Sequence, residues 1–97
     1  MNSVDGIKVL DLSRVLAGPW CTQPLADLGA DVIKIERPET GDDMRGWGPP
    51  FLQDAKGKDT AEAAYYLGTN RNKRSVVCDI STPAGKQTIR DLLLHCD

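Results

Sequence analysis

Two short apolar runs with a helical pattern between them set the tightest limit on what this chain can become. Ile7-Lys8-Val9-Leu10-Asp11-Leu12 is β-branched and apolar with imperfect alternation, which predicts a strand buried on at least one face. Val32-Ile33-Lys34-Ile35-Glu36 reads as a second strand. Between them Ala17, Trp20, Cys21, Pro24, Leu25 and Leu28 recur at helical spacing and predict a helix with a single apolar stripe. Pro19 suits the first turn, where its missing N–H would be unpaired anyway. Pro24 lies deeper and predicts a kink. Gly29 falls just past the last apolar residue, where a helix ends on a glycine cap. Strand, helix and strand within about thirty residues form a βαβ unit, whose strands are parallel and whose crossover is right-handed. The fold class expected is therefore α/β.

The remainder is less regular. From Arg37 to about Thr60 no period is visible, and Gly41-Asp42-Asp43, Gly46-Trp47-Gly48-Pro49-Pro50 and Lys56-Gly57-Lys58-Asp59 mark a long connection. Loops of this length in a compact domain are usually functional or mobile. Trp47 and Phe51 predict that part of it docks. Residues 61–67 are compatible with a short helix. Ser75-Val76-Val77-Cys78-Asp79 predicts a third strand. Thr82 followed by Pro83 predicts the N-cap and first turn of a last helix, with Ile89, Leu92, Leu93 and Cys96 as its buried stripe. That helix runs to Asp97 without a stop signal.

Ninety-seven residues suffice for one small domain, and at 40% apolar composition its core would be thin, so the chain reads as a piece of something larger. A net charge of −2 argues against wholesale electrostatic binding to nucleic acid or an anionic membrane. No run approaches the roughly 18 apolar residues of a membrane span. Met1-Asn2-Ser3-Val4-Asp5 has no basic or apolar signal region. Cys21, Cys78 and Cys96 are an odd set without CxxC spacing, and read as buried or half-buried thiols in a reducing compartment, neither a disulfide frame nor a zinc site. Cytosol is the expected location, with an organelle matrix as the alternative.

Candidates for chemistry are few. The turn Ser13-Arg14-Val15-Leu16-Ala17-Gly18-Pro19 lies where ligands bind in parallel α/β sheets, yet it matches neither GxGxxG nor a P-loop. It reads either as a ligand loop or as a tight turn in which Gly18 serves geometry alone. Arg37 follows the second strand and could fork onto a phosphate, or pair with Glu36 or Glu39. The basic run Asn70-Arg71-Asn72-Lys73-Arg74 could clamp a polyphosphate or be a solvated loop. These signals are expected to converge on one sheet edge. His95, the only histidine, fits a helix C-terminus better than a catalytic base. Asp11, Asp42 and Asp43 are candidate acids for which no partner is evident. No residue is assigned as catalytic or as a metal ligand.

The string as a whole carries a resemblance. Val4-Asp5-Gly6-Ile7-Lys8-Val9-Leu10-Asp11-Leu12-Ser13-Arg14-Val15-Leu16-Ala17-Gly18-Pro19 resembles the N-terminus of the class III coenzyme A transferases of CaiB/BaiF type. The likeness continues through residues 26–38, 41–43, 47–51, 66–75 and 82–86, in the family's order. It implies a Rossmann-like parallel sheet with flanking helices, of which residues 1–97 form the incomplete N-terminal portion of the large, CoA-binding domain. It also implies acyl-CoA and a small carboxylic acid as substrates, no tightly bound cofactor, and a homodimer of interlocked subunits. By resemblance coenzyme A contacts Val15, Leu16 and Ala17 after strand one and Arg37 after strand two, while Cys78, Asp79, Ile80 and Ser81 border the adenosine part. Ser81 stands where some members carry a lysine, and Pro24 where a larger apolar residue is common. The family's nucleophile, an aspartate that forms mixed anhydrides with the acyl group, lies beyond Asp97, so these residues alone are expected to be inactive. The alternative on the same fold is an α-methylacyl-CoA racemase. The stretch Trp47-Gly48-Pro49-Pro50-Phe51 looks more like the dicarboxylate-type transferases.

Overall fold

The structure is a computed structural model and describes residues 3–97; Met1 and Asn2, part of the stretch read for a signal segment, lie outside the described residues. The elements run β1 (Lys8–Asp11), α1 (Ala17–Asp27), β2 (Asp31–Glu36), a 3-10 helix (Asp43–Gly46), β3 (Phe51–Gln53), β4 (Asp59–Ala63), α2 (Ala64–Asn70), β5 (Lys73–Val77) and α3 (Pro83–Leu93). β1, β2 and β5 form a parallel sheet in that order, and β3 and β4 a separate antiparallel pair. The fold is α/β, a partial Rossmann-like domain.

The βαβ unit stands on local signals. α1 ends in a Schellman motif, with Gly29 at φ 109°, its N–H donating to Ala26 O and the Ala30 N–H to Leu25 O. The helix continues through Pro24 to Asp27. Its buried face, however, is Pro19, Gln23 and Ala26, not the apolar stripe expected. Trp20 is 63% exposed, Leu28 and Cys21 are exposed, and only Leu25 is half-buried. The reason is the sheet beneath: in parallel register Val9 and Asp11 share a face with Val32 and Lys34, and Lys73 and Ser75 extend it. A small, partly polar helix face matches that polar surface, and Thr22 Oγ1 donates to Asp11 Oδ2 at 2.6 Å. The apolar cluster proper is small, built on Ala26, Ala30 and Val32 with Val4, Val9 and Leu25 against it.

Further expectations are corrected. The stretch read as aperiodic contains the 3-10 helix and the β3–β4 hairpin, whose turn is closed by Asp54 Oδ1 accepting from the N–H groups of Lys56 and Lys58, with Gly57 at φ 76°. The helix expected over 61–67 is α2, displaced because Ala63 is held in β4 opposite Phe51. β5 starts and ends two residues early, since Asp79 already caps the following turn, its side chain accepting from the Ser81 N–H. Lys73 and Arg74 of the basic run pair in the ladder opposite Val32 and Ile33. α3 is capped by Thr82 as read, its hydroxyl accepting from the Gly85 N–H at 3.0 Å, but it stops at Leu93. The Asp97 N–H turns to Lys8 O on the edge of β1. On α3 only Gly85 is buried; Ile89, Leu92 and Cys96 are half-buried, and Leu93 and Leu94 are exposed, so the expected stripe finds little to pack on among the described residues.

Candidate functional site

The carboxyl ends of the three parallel strands open onto one cavity of about 460 Å³. Leu12, Ser13 and Arg14 come from the loop after β1, residues 34–37 from the end of β2, Gly41 and Asp42 from the next turn, and Cys78, Asp79, Ile80 and Ser81 from the loop after β5. Ligands in open parallel sheets sit at this edge. Of the residues singled out from sequence, Ser13, Arg14, Arg37, Asp42, Cys78, Asp79, Ile80 and Ser81 line this cavity together. Val15, Leu16 and Ala17 do not line it; Leu16 lies instead on an apolar groove with Trp20, Pro50 and Tyr65.

The loop after β5 is built for close approach. The Cys78 N–H continues the ladder by donating to Glu36 O at 2.9 Å. A Cβ at Gly85 would lie 1.7 Å from Asp79 O, so only glycine lets α3 start this near the strand end. Hydrogen bonds from the Ser81 side chain and N–H hold the Asp79 carboxyl below its ordinary value. The Arg37 guanidinium, half-exposed at the rim, donates to Thr40 Oγ1 at 2.8 Å and pairs with Asp43. A phosphate arriving there would share or displace that carboxylate. Arg14 brings a second exposed cation to the cavity.

Beneath the rim lies a buried polar network that sequence reasoning missed. The Lys34 Nζ sits 2.7 Å from Asp42 Oδ2, both side chains almost fully buried, and 5.8 Å from the centroid of the Tyr66 ring. Glu36 takes Arg45 on both oxygens at 2.8 Å, and also accepts from the Tyr66 hydroxyl, the Ser75 hydroxyl and the Asp42 N–H. Burial pushes the Glu36 carboxyl up, but these donors outweigh it and bring it down to about 2. Glu36 in turn raises the Arg45 guanidinium, while burial and Glu36 together raise the Tyr66 hydroxyl. Asp11, read as an acid without a partner, accepts from Ser13 and Thr22 and lies 3.4 Å from Lys73 Nζ. Burial raises its carboxyl; the two hydroxyls and the Lys73 charge more than reverse this. Asp42 is likewise held low, burial being overcome by Lys34 and by the N–H groups of Met44 and Val15. The signal was present in the sequence: a lysine flanked by Ile33 and Ile35 inside a buried strand must find a countercharge.

The basic run is not at this edge. Arg71 and Asn72 bind Asp27, and Arg74 binds Asp31. Lys73 reaches Pro19 O, Asn70 and Asp11. The run enters β5 from its amino end, so the expected convergence with Arg37 fails on topology. His95 lies just past α3, exposed, its N–H on Leu92 O. Cys78 is buried, Cys96 half-buried and Cys21 exposed, and all three are free thiols. Among the described residues no acidic, histidine or cysteine cluster is placed to hold a metal, and no helix is long and apolar enough to cross a membrane.

Comparison with known proteins places this geometry. The succinate–glutarate CoA-transferase of Agrobacterium fabrum is 56% identical over 94 residues, which are 97% of this chain and 23% of that protein. The human succinyl-CoA:glutarate CoA-transferase is 50% identical over 100 residues, spanning all of this chain and 21% of the relative. A crystal structure of a CaiB/BaiF family protein from Brucella suis superposes with a TM-score of 0.86 at 50% identity, over 100% of this chain and 25% of that one. The chain thus spans about a quarter of the length of these relatives. Residues 4–97 match the family described as CoA-transferase family III, and the chain belongs to that family.

Proposed function

We infer that the protein containing these residues moves coenzyme A from an acyl-CoA donor to a carboxylic acid, and that residues 1–97 supply part of the coenzyme A cradle of its large domain. The observation that carries the reading is the cavity at the strand ends, where Arg14, Arg37 and the backbone of residues 78–81 meet. Guanidinium groups suit diphosphate oxygens, and the glycine-permitted start of α3 brings main chain close to whatever fills the cavity. Val15, Leu16 and Ala17 belong to the same proposal as backbone contacts on the neighbouring loop. Coenzyme A is then a substrate rather than a resident cofactor, and two subunits pair as a homodimer.

The relatives named above point to succinyl-CoA as donor and a five-carbon dicarboxylate such as glutarate as acceptor. Their names as transferases support transfer over α-proton exchange by a racemase-type relative. Transfer proceeds through an acyl anhydride on an aspartate outside these residues, a nucleophilic route that divides one exchange into two easier steps. The test is an assay of the family-length protein with succinyl-CoA and glutarate, following glutaryl-CoA formation. Incorporation of solvent deuterium at the α-carbon without CoA exchange would overturn the reading in favour of the racemase.

A second reading concerns these 97 residues by themselves: they have no activity of their own. Trp20, Leu93 and Leu94 are exposed apolar residues that support it. Titrating the isolated chain with coenzyme A, while following Trp20 and Trp47 fluorescence, is expected to give no saturable change. A saturable change would show that the cradle binds without the rest.

A further inference from the structure

We propose that Asp42 is a positioning residue for the acyl-CoA, holding the loop after β1 in a strained conformation beside the cavity. The inference rests on the reading above that this cavity takes coenzyme A. Val15 has φ 71°, in the left-handed region that a β-branched residue rarely enters. Such a conformation persists only where its surroundings impose it. Here the Val15 N–H donates to Asp42 Oδ1 at 3.0 Å, and the same oxygen accepts from the Met44 N–H at 3.0 Å. The other oxygen takes Lys34 Nζ, which also reaches the carbonyl of Ser13 at 3.4 Å. The Asp42–Lys34 pair therefore ties the loop, at Val15 and at Ser13, to β2 and to the 3-10 helix.

The placement gives the clamp its function. Lys34 and Asp42 line the cavity together with Ser13 and Arg14, so the pair that holds the loop is also part of the cavity wall. The Lys34 and Asp42 side chains are 1% and 0% exposed, and water does not loosen their geometry. The turn is prepared for the same purpose: Gly41 at φ 64° brings the Asp42 N–H onto Glu36 Oε1 at 2.9 Å, and a Cβ there would meet Arg45 and Glu36 at 2.9 Å. Asp42 thus joins the Lys34 pair to the Glu36–Arg45 network, and the loop is set by the buried face of the sheet.

The test uses the family-length protein and coenzyme A as the probe. Absence of binding to the unmodified protein would remove the site reading, and this inference with it. Given binding, Asp42→Asn keeps an oxygen for the Val15 N–H but removes the charge facing Lys34, and is expected to weaken coenzyme A affinity about tenfold. Adding Val15→Gly should restore most of that loss, because glycine adopts the left-handed conformation without penalty. A purely structural Asp42 would lower thermal stability without this rescue. Unchanged affinity in Asp42→Asn, or no recovery in the double variant, overturns the proposal. Should Asp42→Asn not accumulate as folded protein, amide exchange in the unmodified protein decides: the Val15 N–H is expected to be protected and to slow further with coenzyme A. A Val15 rate indifferent to coenzyme A would contradict the clamp.

Discussion

One face of the parallel sheet carries Asp11, Lys34, Glu36, Lys73 and Ser75 beneath α1, the 3-10 helix and α2, and its charges are closed off from water. The other carries Leu10, Ile33, Ile35 and Val76, and of these only Ile35 is buried. Farther along, Ile80, Leu93 and Leu94 are exposed, Leu94 to 82%. The polar face is the finished one. Its burial is tolerable because each charge has a partner at hydrogen-bond distance and the remaining lone pairs are satisfied by hydroxyl and backbone N–H groups. Apolar burial is non-directional, whereas such a network admits one arrangement, so this face can hold the loops of the cavity in register while the opposite face stays open.

The comparison can be broken by removing one partner from the closed face. Lys34→Ala leaves Asp42 buried beside no countercharge and should destabilise the family-length protein by about 3–5 kcal/mol, read as a fall in the denaturant midpoint. A loss near 0.5 kcal/mol, typical of surface substitutions, would show that the face is wetter than described. Acid should reveal Glu36 next. Its carboxyl falls from 4.5 to about 2 on folding, so it contributes stability that is complete above pH 4.5 and lost as the pH drops towards 2. That loss amounts to roughly 3 kcal/mol, and Glu36→Gln should flatten the pH dependence over this interval. Gly85→Ala forces a methyl into Asp79 O and is expected to cost about 1–3 kcal/mol, with a matching loss of coenzyme A affinity as the loop after β5 is displaced. Arg71→Ala sharpens the contrast from the other side. Its pair with Asp27 is solvent-exposed, so removal should change stability by less than about 1 kcal/mol.

What was legible in the sequence follows the same division. The βαβ unit, the Gly29 cap and the Thr82–Pro83 helix start could be read because each depends on neighbours in the chain. The α1 stripe is apolar by spacing yet exposed, because spacing marks a helix face and not what lies beneath it. Trp20 and Leu28 show that a helix turns its apolar residues inward only where the surface beneath is apolar too. The basic run could clamp a polyphosphate or be a solvated loop by sequence, and it is neither, because Asp27, Asp31 and Asp11 neutralise its charges from distant positions. The hairpin went unseen because β3 is only three residues long and its turn chemistry, Asp54 with Gly57, was the sole local mark. Of the cavity lining, Arg37 was indicated by its place at a strand end and residues 78–81 by the family resemblance. Lys34, Glu36 and Arg45 were not, and Asp42 was seen only as an acid without a partner, since their pairing spans separate segments.

The central claim is that coenzyme A binds at the carboxyl rim of the sheet, through Arg37, and not at the basic run on its amino side. Calorimetric titration of coenzyme A into the family-length protein, alongside Arg37→Ala and Arg71→Ala, tests it directly. Arg37→Ala should weaken binding about tenfold or more, and Arg71→Ala should leave it within about twofold. Intact affinity in Arg37→Ala together with a large loss in Arg71→Ala would contradict the account.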